Sequence, residues 1–168
     1  MAKPPTEEFK EWFRAMADIL APRLRTEVAE GRQIPPTVLV FGTKGEMKAL
    51  EANLNTPHNK ETTFKLMKTM AQRTDMVHAV VLLVEAWVVK QDREEGVPWE
   101  KTARRFKGKS LEHVPGRMEA VMLNAMSDGM QLMTKAMIDR RNDLNIMGPF
   151  EHDQYTNYTG RLALDDEE

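Results

Sequence analysis

The chain has 168 residues, of which 41% are apolar and 30% are charged, and its formal net charge is −2. This length accommodates one domain with a sizeable core, and the composition is typical of a globular protein. The small net charge provides no general basic field that would attract nucleic acid or an anionic membrane. The sequence has no cysteine, which excludes disulfides, thiolate zinc sites, iron–sulfur clusters and a cysteine nucleophile.

Two further features of the sequence bear on the compartment. The N-terminal residues, MAKPPTEEFKEW, contain no apolar segment of signal-peptide length. The longest apolar run, AVVLLVEAWVV, is interrupted by Glu85 and is too short to span a bilayer. We therefore expect a cytoplasmic protein without a membrane partner.

The first predicted element is an amphipathic helix over residues 6–30. Thr6 is a suitable cap, and Glu7 and Glu8 suit the positive end of the helix dipole. Pro22 predicts a kink or a restart within this helix. The apolar residues of its first half recur at spacings of three and four: Phe9, Trp12, Phe13, Met16, Ile19 and Leu20.

A strand and a second helix follow. Residues 37–41 are β-branched and aromatic and predict a strand, after which Gly42 and Gly45 bracket a tight turn. Segment 46–54 is compatible with either a short helix or the return strand of a hairpin. A second helix is predicted over 62–75, with one apolar face that carries Phe64, Met67, Met70 and Ala71.

Residues 77–90 predict a long central strand because the run is dense in valine and leucine. One side of this strand is wholly apolar and carries Val80, Leu82, Val84, Ala86 and Val88. The other side includes Glu85 and Trp87. A buried carboxylate without a partner is costly or takes up a proton. We therefore expect Glu85 to pair with Arg117 at the start of the next strand.

Segment 117–141 is the most unusual stretch of the chain, because it carries Met118, Met122, Met126, Met130, Met133 and Met137. These positions share one side of a helix, and thioethers bind Cu(I), so a helix and a soft-metal site are both alternatives to a hairpin. The Asp128-Gly129 dipeptide favours the hairpin, since glycine inside a helix would cost about 1 kcal/mol. A turn at Asp128 and Gly129 pairs 127 with 130, 125 with 132, 123 with 134 and 121 with 136.

In this hairpin five of the six methionines share a face with Asn124, Gln131 and Lys135. We expect this mixed face to lie on the same side of the sheet as Glu85 and Trp87 of the central strand. The predicted fold is then α+β, with an antiparallel sheet of about four to five strands and two helices packed on one dry face. The predicted domain is 1–164, with a sheet core at 37–141, an irregular segment at 142–164 and an acidic tail at 165–168.

The leading functional prediction is a non-enzymatic binding or assembly protein whose partner is a second copy or another protein. It would act through the long charged connection at 91–116 and through the mixed sheet face. The predicted contact residues are Trp87, Trp99, Met118, Met122, Met126, Met133 and Met137. Methionine suits such a surface because it is flexible and polarizable. The competing interpretation is that the chain's own loop covers this face.

Two alternatives remain open. The first is a small enzyme in which Glu85 is a general acid or base, with His113, Arg117 and Glu119 as further candidates; a structural ion pair is the competing interpretation. The second is nucleic-acid binding through the basic segment 101–109, with Arg104, Arg105, Lys107 and Lys109. Acidic neighbours offset that charge, so nucleic acid is the least favoured partner. No histidine spacing or glycine motif indicates a metal or other cofactor.

Overall fold

The computed structural model describes residues 3–88, 118–141 and 144–152. Its two helices are α1 (Glu7–Ala29) and α2 (Pro57–Ala71). Its strands are β1 (Thr37–Gly42), β2 (Met47–Glu51), β3 (Val77–Val88), β4 (Met118–Ser127), β5 (Met130–Asp139) and β6 (Ile146–Glu151). They form one antiparallel sheet in the order β2-β1-β3-β4-β5-β6. The predicted α+β class is confirmed, with six strands rather than four to five.

The two strands that the sequence signals poorly lie at the edges of the sheet. Segment 46–54 contains β2, so the hairpin return is the correct alternative. Segment 142–164, predicted to be irregular, contains β6. Every residue of β2 is exposed, so the strand shows no alternation of apolar and polar side chains. Strand β6 includes Gly148 and Pro149, and both residue types are depleted in strands.

Both helices begin at a threonine cap. The Thr6 side chain accepts a hydrogen bond from the Phe9 amide, as the sequence predicts, and α1 continues through Pro22 without a break. Thr56 accepts from the Asn59 amide and Pro57 occupies the first turn, so α2 starts earlier than residue 62. Within the described ranges, neither helix is long and apolar enough to cross a membrane.

The methionine-rich segment is a hairpin, and the helix alternative is wrong. Val121 pairs with Ala136, and Ser127 pairs with Met130, which is the register that the sequence predicts. Asp128 has φ 44° and Gly129 has φ 78°. Consecutive positive φ angles define the type I′ turn that matches the twist of a hairpin.

The two helices lie on opposite faces of the sheet, so the prediction that both pack on one face is wrong. The α1 stripe packs with Val81, Leu83 and Val121 in one core cluster. The α2 stripe packs with Val80 and Leu82 in a second cluster. Each helix has an apolar stripe of its own, and each sheet face has an apolar area that needs a cover.

The register between β3 and β4 also corrects the predicted sides of the sheet. Val80 pairs with Met126 and Val84 pairs with Met122, and paired residues point to the same face. Five of the six methionines therefore continue the wholly apolar side of β3, whereas Met130 packs against the core beneath α1. Glu85 lies on the opposite side, under α1, so the predicted single mixed face does not exist.

The turn conformation predicts a specific effect of one substitution. Gly129→Ala should lower the free energy of unfolding by about 1–2 kcal/mol, because a left-handed backbone is unfavourable for alanine. The added Cβ itself would have space, with its nearest neighbour in the Lys3 side chain at 3.6 Å. Chemical denaturation provides the measurement.

Gly148→Ala is the matched control. Gly148 has an ordinary backbone φ, and its added Cβ would lie 3.6 Å from the Met137 carbonyl oxygen. This control should change stability by no more than about 0.5 kcal/mol. Equal losses in the two variants would contradict a conformational cause at Gly129.

Candidate functional site

Glu85 belongs to an ion cluster near the C-terminal end of α1. Its Oε1 accepts a hydrogen bond from the Ile34 amide at 3.2 Å and lies 3.7 Å from Arg140 Nη2. The Arg140 guanidinium also donates to the Glu119 carboxylate and to Asn145 Oδ1 at 3.2 Å. The cluster ties together β3, β4, the end of β5 and the connection between α1 and β1.

Arg140 is a partner of Glu85 that the sequence analysis missed. The hairpin register places Ile138 opposite Glu119, and Arg140 follows two positions later. The predicted turn therefore contained the signal that an arginine would lie close to Glu119. The expected partner, Arg117, lies outside the described residues.

The electrostatic balance at Glu85 favours its protonated form. Burial raises the pKa of Glu85; the Ile34 hydrogen bond and Arg140 lower this pKa, and the nearby Glu119 raises it. The net result is a raised pKa. A raised pKa suits a carboxyl that acts as a general acid or base, but the Glu85 side chain is only 13% exposed.

The predicted contact residues do not form one surface. Met122 and Met126 are 6% and 5% exposed and belong to the core beneath α2. The other three methionines, Met118, Met133 and Met137, are partly buried against the same core. Trp87 is 37% exposed and lies across from Glu119 on the other side of the sheet. The methionines thus act mainly as core residues in this part of the chain.

The methionine side of the sheet also holds buried polar groups. Asn124 is buried and its Oδ1 accepts from Gln131 Nε2 at 3.0 Å. Lys135 is buried too, and its Nζ lies 3.8 Å from Glu151 Oε2. Asn124, Gln131 and Lys135 thus share the methionine side of the sheet, as the hairpin register predicts, whereas Glu85 and Trp87 do not.

The remaining predicted site residues lie outside the described residues. They are Trp99, His113, Arg117, Arg104, Arg105, Lys107 and Lys109, together with the 91–116 connection and the 165–168 tail. Nucleic-acid binding through 101–109 therefore stays a prediction. Among the residues that the structure describes, no group of three or more His, Asp or Glu side chains could hold a metal ion.

A surface that the sequence analysis did not single out lies between β2 and α2. A groove of about 230 Å³ runs between these elements, lined by Val38, Leu50, Glu51, Ala52, Asn53, Asn59, Thr62, Thr63 and Leu66. Leu50 and Leu66 are 46% and 52% exposed. We call the groove and these two leucines the β2–α2 surface. Its signal in the sequence is Leu66, an apolar residue outside the buried stripe of α2.

Comparisons with protein-family models, curated proteins and solved structures find no match for this chain. The geometry and chemistry of these sites are therefore the basis for a functional proposal.

Substitution of Glu85 tests the electrostatics of the ion cluster. Glu85→Gln removes the ionisable group and keeps an oxygen that can accept from the Ile34 amide. Because folding raises the pKa of Glu85, its contribution to stability is fully present below the unfolded-state pKa and is lost as pH rises through the folded-state pKa. We expect the variant to unfold with a free energy equal to or above that of the wild type at pH 7.

This advantage of the variant should shrink as the pH falls, because the raised pKa lets the folded wild type take up the proton at a higher pH than the unfolded chain does. Urea denaturation at a series of pH values measures the difference. A variant that loses stability at pH 7 and regains it at low pH would show that the ion pair outweighs the burial of charge.

Proposed function

We propose that this chain is a non-enzymatic binding and assembly protein that works as a homo-oligomer, with the β2–α2 surface as its main contact. One observation carries the proposal. Two leucines from different elements, Leu50 and Leu66, stand exposed on the sides of a single groove. Exposed apolar side chains that converge on a concave surface are typical of interaction sites.

The residues around the groove support the proposal. The buried Val38 is one of the lining residues, and Asn53, Asn59 and Thr62 contribute polar groups beside the leucines. An apolar centre with a polar rim is the usual composition of a protein–protein interface. Burial of exposed leucine surface would contribute roughly 25 cal/mol per Å².

Two of the predicted contact methionines, Met133 and Met137, still contribute to the proposed assembly. Helix α2 packs mainly on β3 and β4, whereas Met133 and Met137 lie on β5 and are partly buried. These two side chains would supply a second, adaptable apolar patch on the same side of the sheet, separated from the β2–α2 surface by β1, β3 and β4.

An enzymatic function is the second candidate and rests on Glu85. It is favoured by the raised pKa of this carboxyl and by the partly exposed Trp87 on the same side of the sheet. A general acid or base must reach a substrate, and the Glu85 side chain is 13% exposed and bonded to Ile34. The β2–α2 surface is open, so binding is the better supported function.

Light scattering coupled to size-exclusion chromatography tests the proposal. Over a wide range of protein concentration, we expect the mass to rise from one chain of 19.3 kDa to twice that value. Leu66→Arg should raise the dissociation constant by about tenfold or more, because it places a charge within the apolar contact.

Ile19→Arg is the matched control, because Ile19 is 78% exposed and lies on α1, which covers the other face of the sheet. The control should assemble as the wild type does. A wild-type chain that stays monomeric at every concentration would contradict the proposed function.

A further inference from the structure

We propose that the second copy joins through the free edge of β2, so that the two β2 strands pair antiparallel about a two-fold axis at Leu50. The result is one sheet that continues through both chains. This inference rests on the proposed assembly function and names its partner and its mode of contact.

The backbone of β2 has a defined set of outward groups. The Gly42 amide donates to the Glu46 carbonyl at 2.8 Å, and the Ala52 amide donates to the Pro36 carbonyl at 2.9 Å. Hydrogen-bonded pairs alternate along an antiparallel ladder, so the even-numbered residues of β2 bond to β1. The N–H and C=O groups of Met47, Ala49 and Glu51 consequently point away from the sheet.

This edge is open in the described part of the chain. Strand β2 is terminal in the sheet, and each of its residues is exposed. Exposed edge strands are templates for pairing with another chain. The opposite edge is less suitable, because β6 contains Pro149, which lacks an amide donor, and packs against α1.

The side chains of β2 are compatible with self-pairing in this register. A two-fold axis normal to the sheet keeps the α2 sides of both chains on the same face, and it places Leu50 opposite Leu50 of the second copy. Ala49 then faces Glu51, and Lys48 faces Ala52. No like charges are directly opposed, whereas an axis at Lys48 would oppose two lysines.

The β2–α2 surface extends this contact beyond the backbone. Leu50 belongs to the α2 side of the sheet, because it pairs with Val38, a residue of the core beneath α2. Leu50 also lines the groove together with Leu66. The paired Leu50 side chains would thus form the centre of an apolar cluster flanked by Leu66 from each copy. This gives a symmetric, self-complementary interface.

Two substitutions test the edge pairing by sedimentation equilibrium of the full chain. Ala49→Pro removes an outward amide and leaves the hydrogen bonds to β1 intact, a position at which edge strands tolerate proline. Leu50→Lys opposes two cations at the axis. Each variant should raise the dissociation constant of the dimer by about tenfold or more, while far-ultraviolet circular dichroism stays unchanged.

Ile19→Lys is the control for an added cation at an exposed apolar residue and should dimerise as the wild type does. A dimer with an unchanged dissociation constant in Ala49→Pro or Leu50→Lys would overturn the edge pairing. If Leu66→Arg weakens the dimer but Ala49→Pro does not, the result supports assembly through the β2–α2 surface and contradicts the edge pairing. A monomeric wild type overturns both.

Discussion

The backbone register between β3 and β4 determines the role of most other residues in this protein. It sets Val80 against Met126 and Glu85 against Val121. Because side chains alternate along a strand, a shift of one residue would exchange the two faces of β4 relative to β3. The observed register places the apolar side of β3 and the methionines of β4 in one core beneath α2. The same register leaves Glu85 on the α1 side, within reach of Arg140.

A sheet with a helix on each face has little free face to offer a partner. One core cluster buries Phe13 and Met16 of α1. A second core cluster buries Phe64 and Met67 of α2. In the proposed assembly, the main contact then lies at an edge of the sheet and at the border of a helix. The exposed strand β2 and the neighbouring Leu66 provide such a border. For this reason the proposed assembly uses the sheet edge, rather than the methionine face, as its main contact.

The local elements with strong chemical signals could be predicted from the sequence. Thr6 as the cap of α1 and the turn at Asp128 and Gly129 were both predictable, since each depends on residues close together in the chain. The hairpin register followed from the turn alone. Glu119 was a candidate alongside Glu85, and the structure brings both carboxylates to Arg140; the expected partner, Arg117, lies outside the described residues.

The sequence could not predict which face of β3 lies on the same side of the sheet as which face of the hairpin. Residues 77–90 and the hairpin are separated by a long connection, so no turn fixes which of their faces coincide. Both strands carry apolar residues on each side, which makes either alignment plausible by composition. The edge strand β2 has no alternating pattern, because all of its side chains are exposed. The placement of both helices on one face was wrong for the same reason: the stripe of Phe64 and Met67 identifies the buried side of α2 but not the sheet face that it covers.

The central claim is that α2 covers the methionine side of the sheet, so that Met122 and Met126 are core residues. Neighbouring residues of α2 test it most directly, since Met67 is 0% exposed and Leu66 is 52% exposed. Under monomeric conditions, Met67→Ala should lower the free energy of unfolding by about 2–5 kcal/mol, and Leu66→Ala by no more than about 0.5 kcal/mol. Similar small losses in both variants would contradict a core beneath α2.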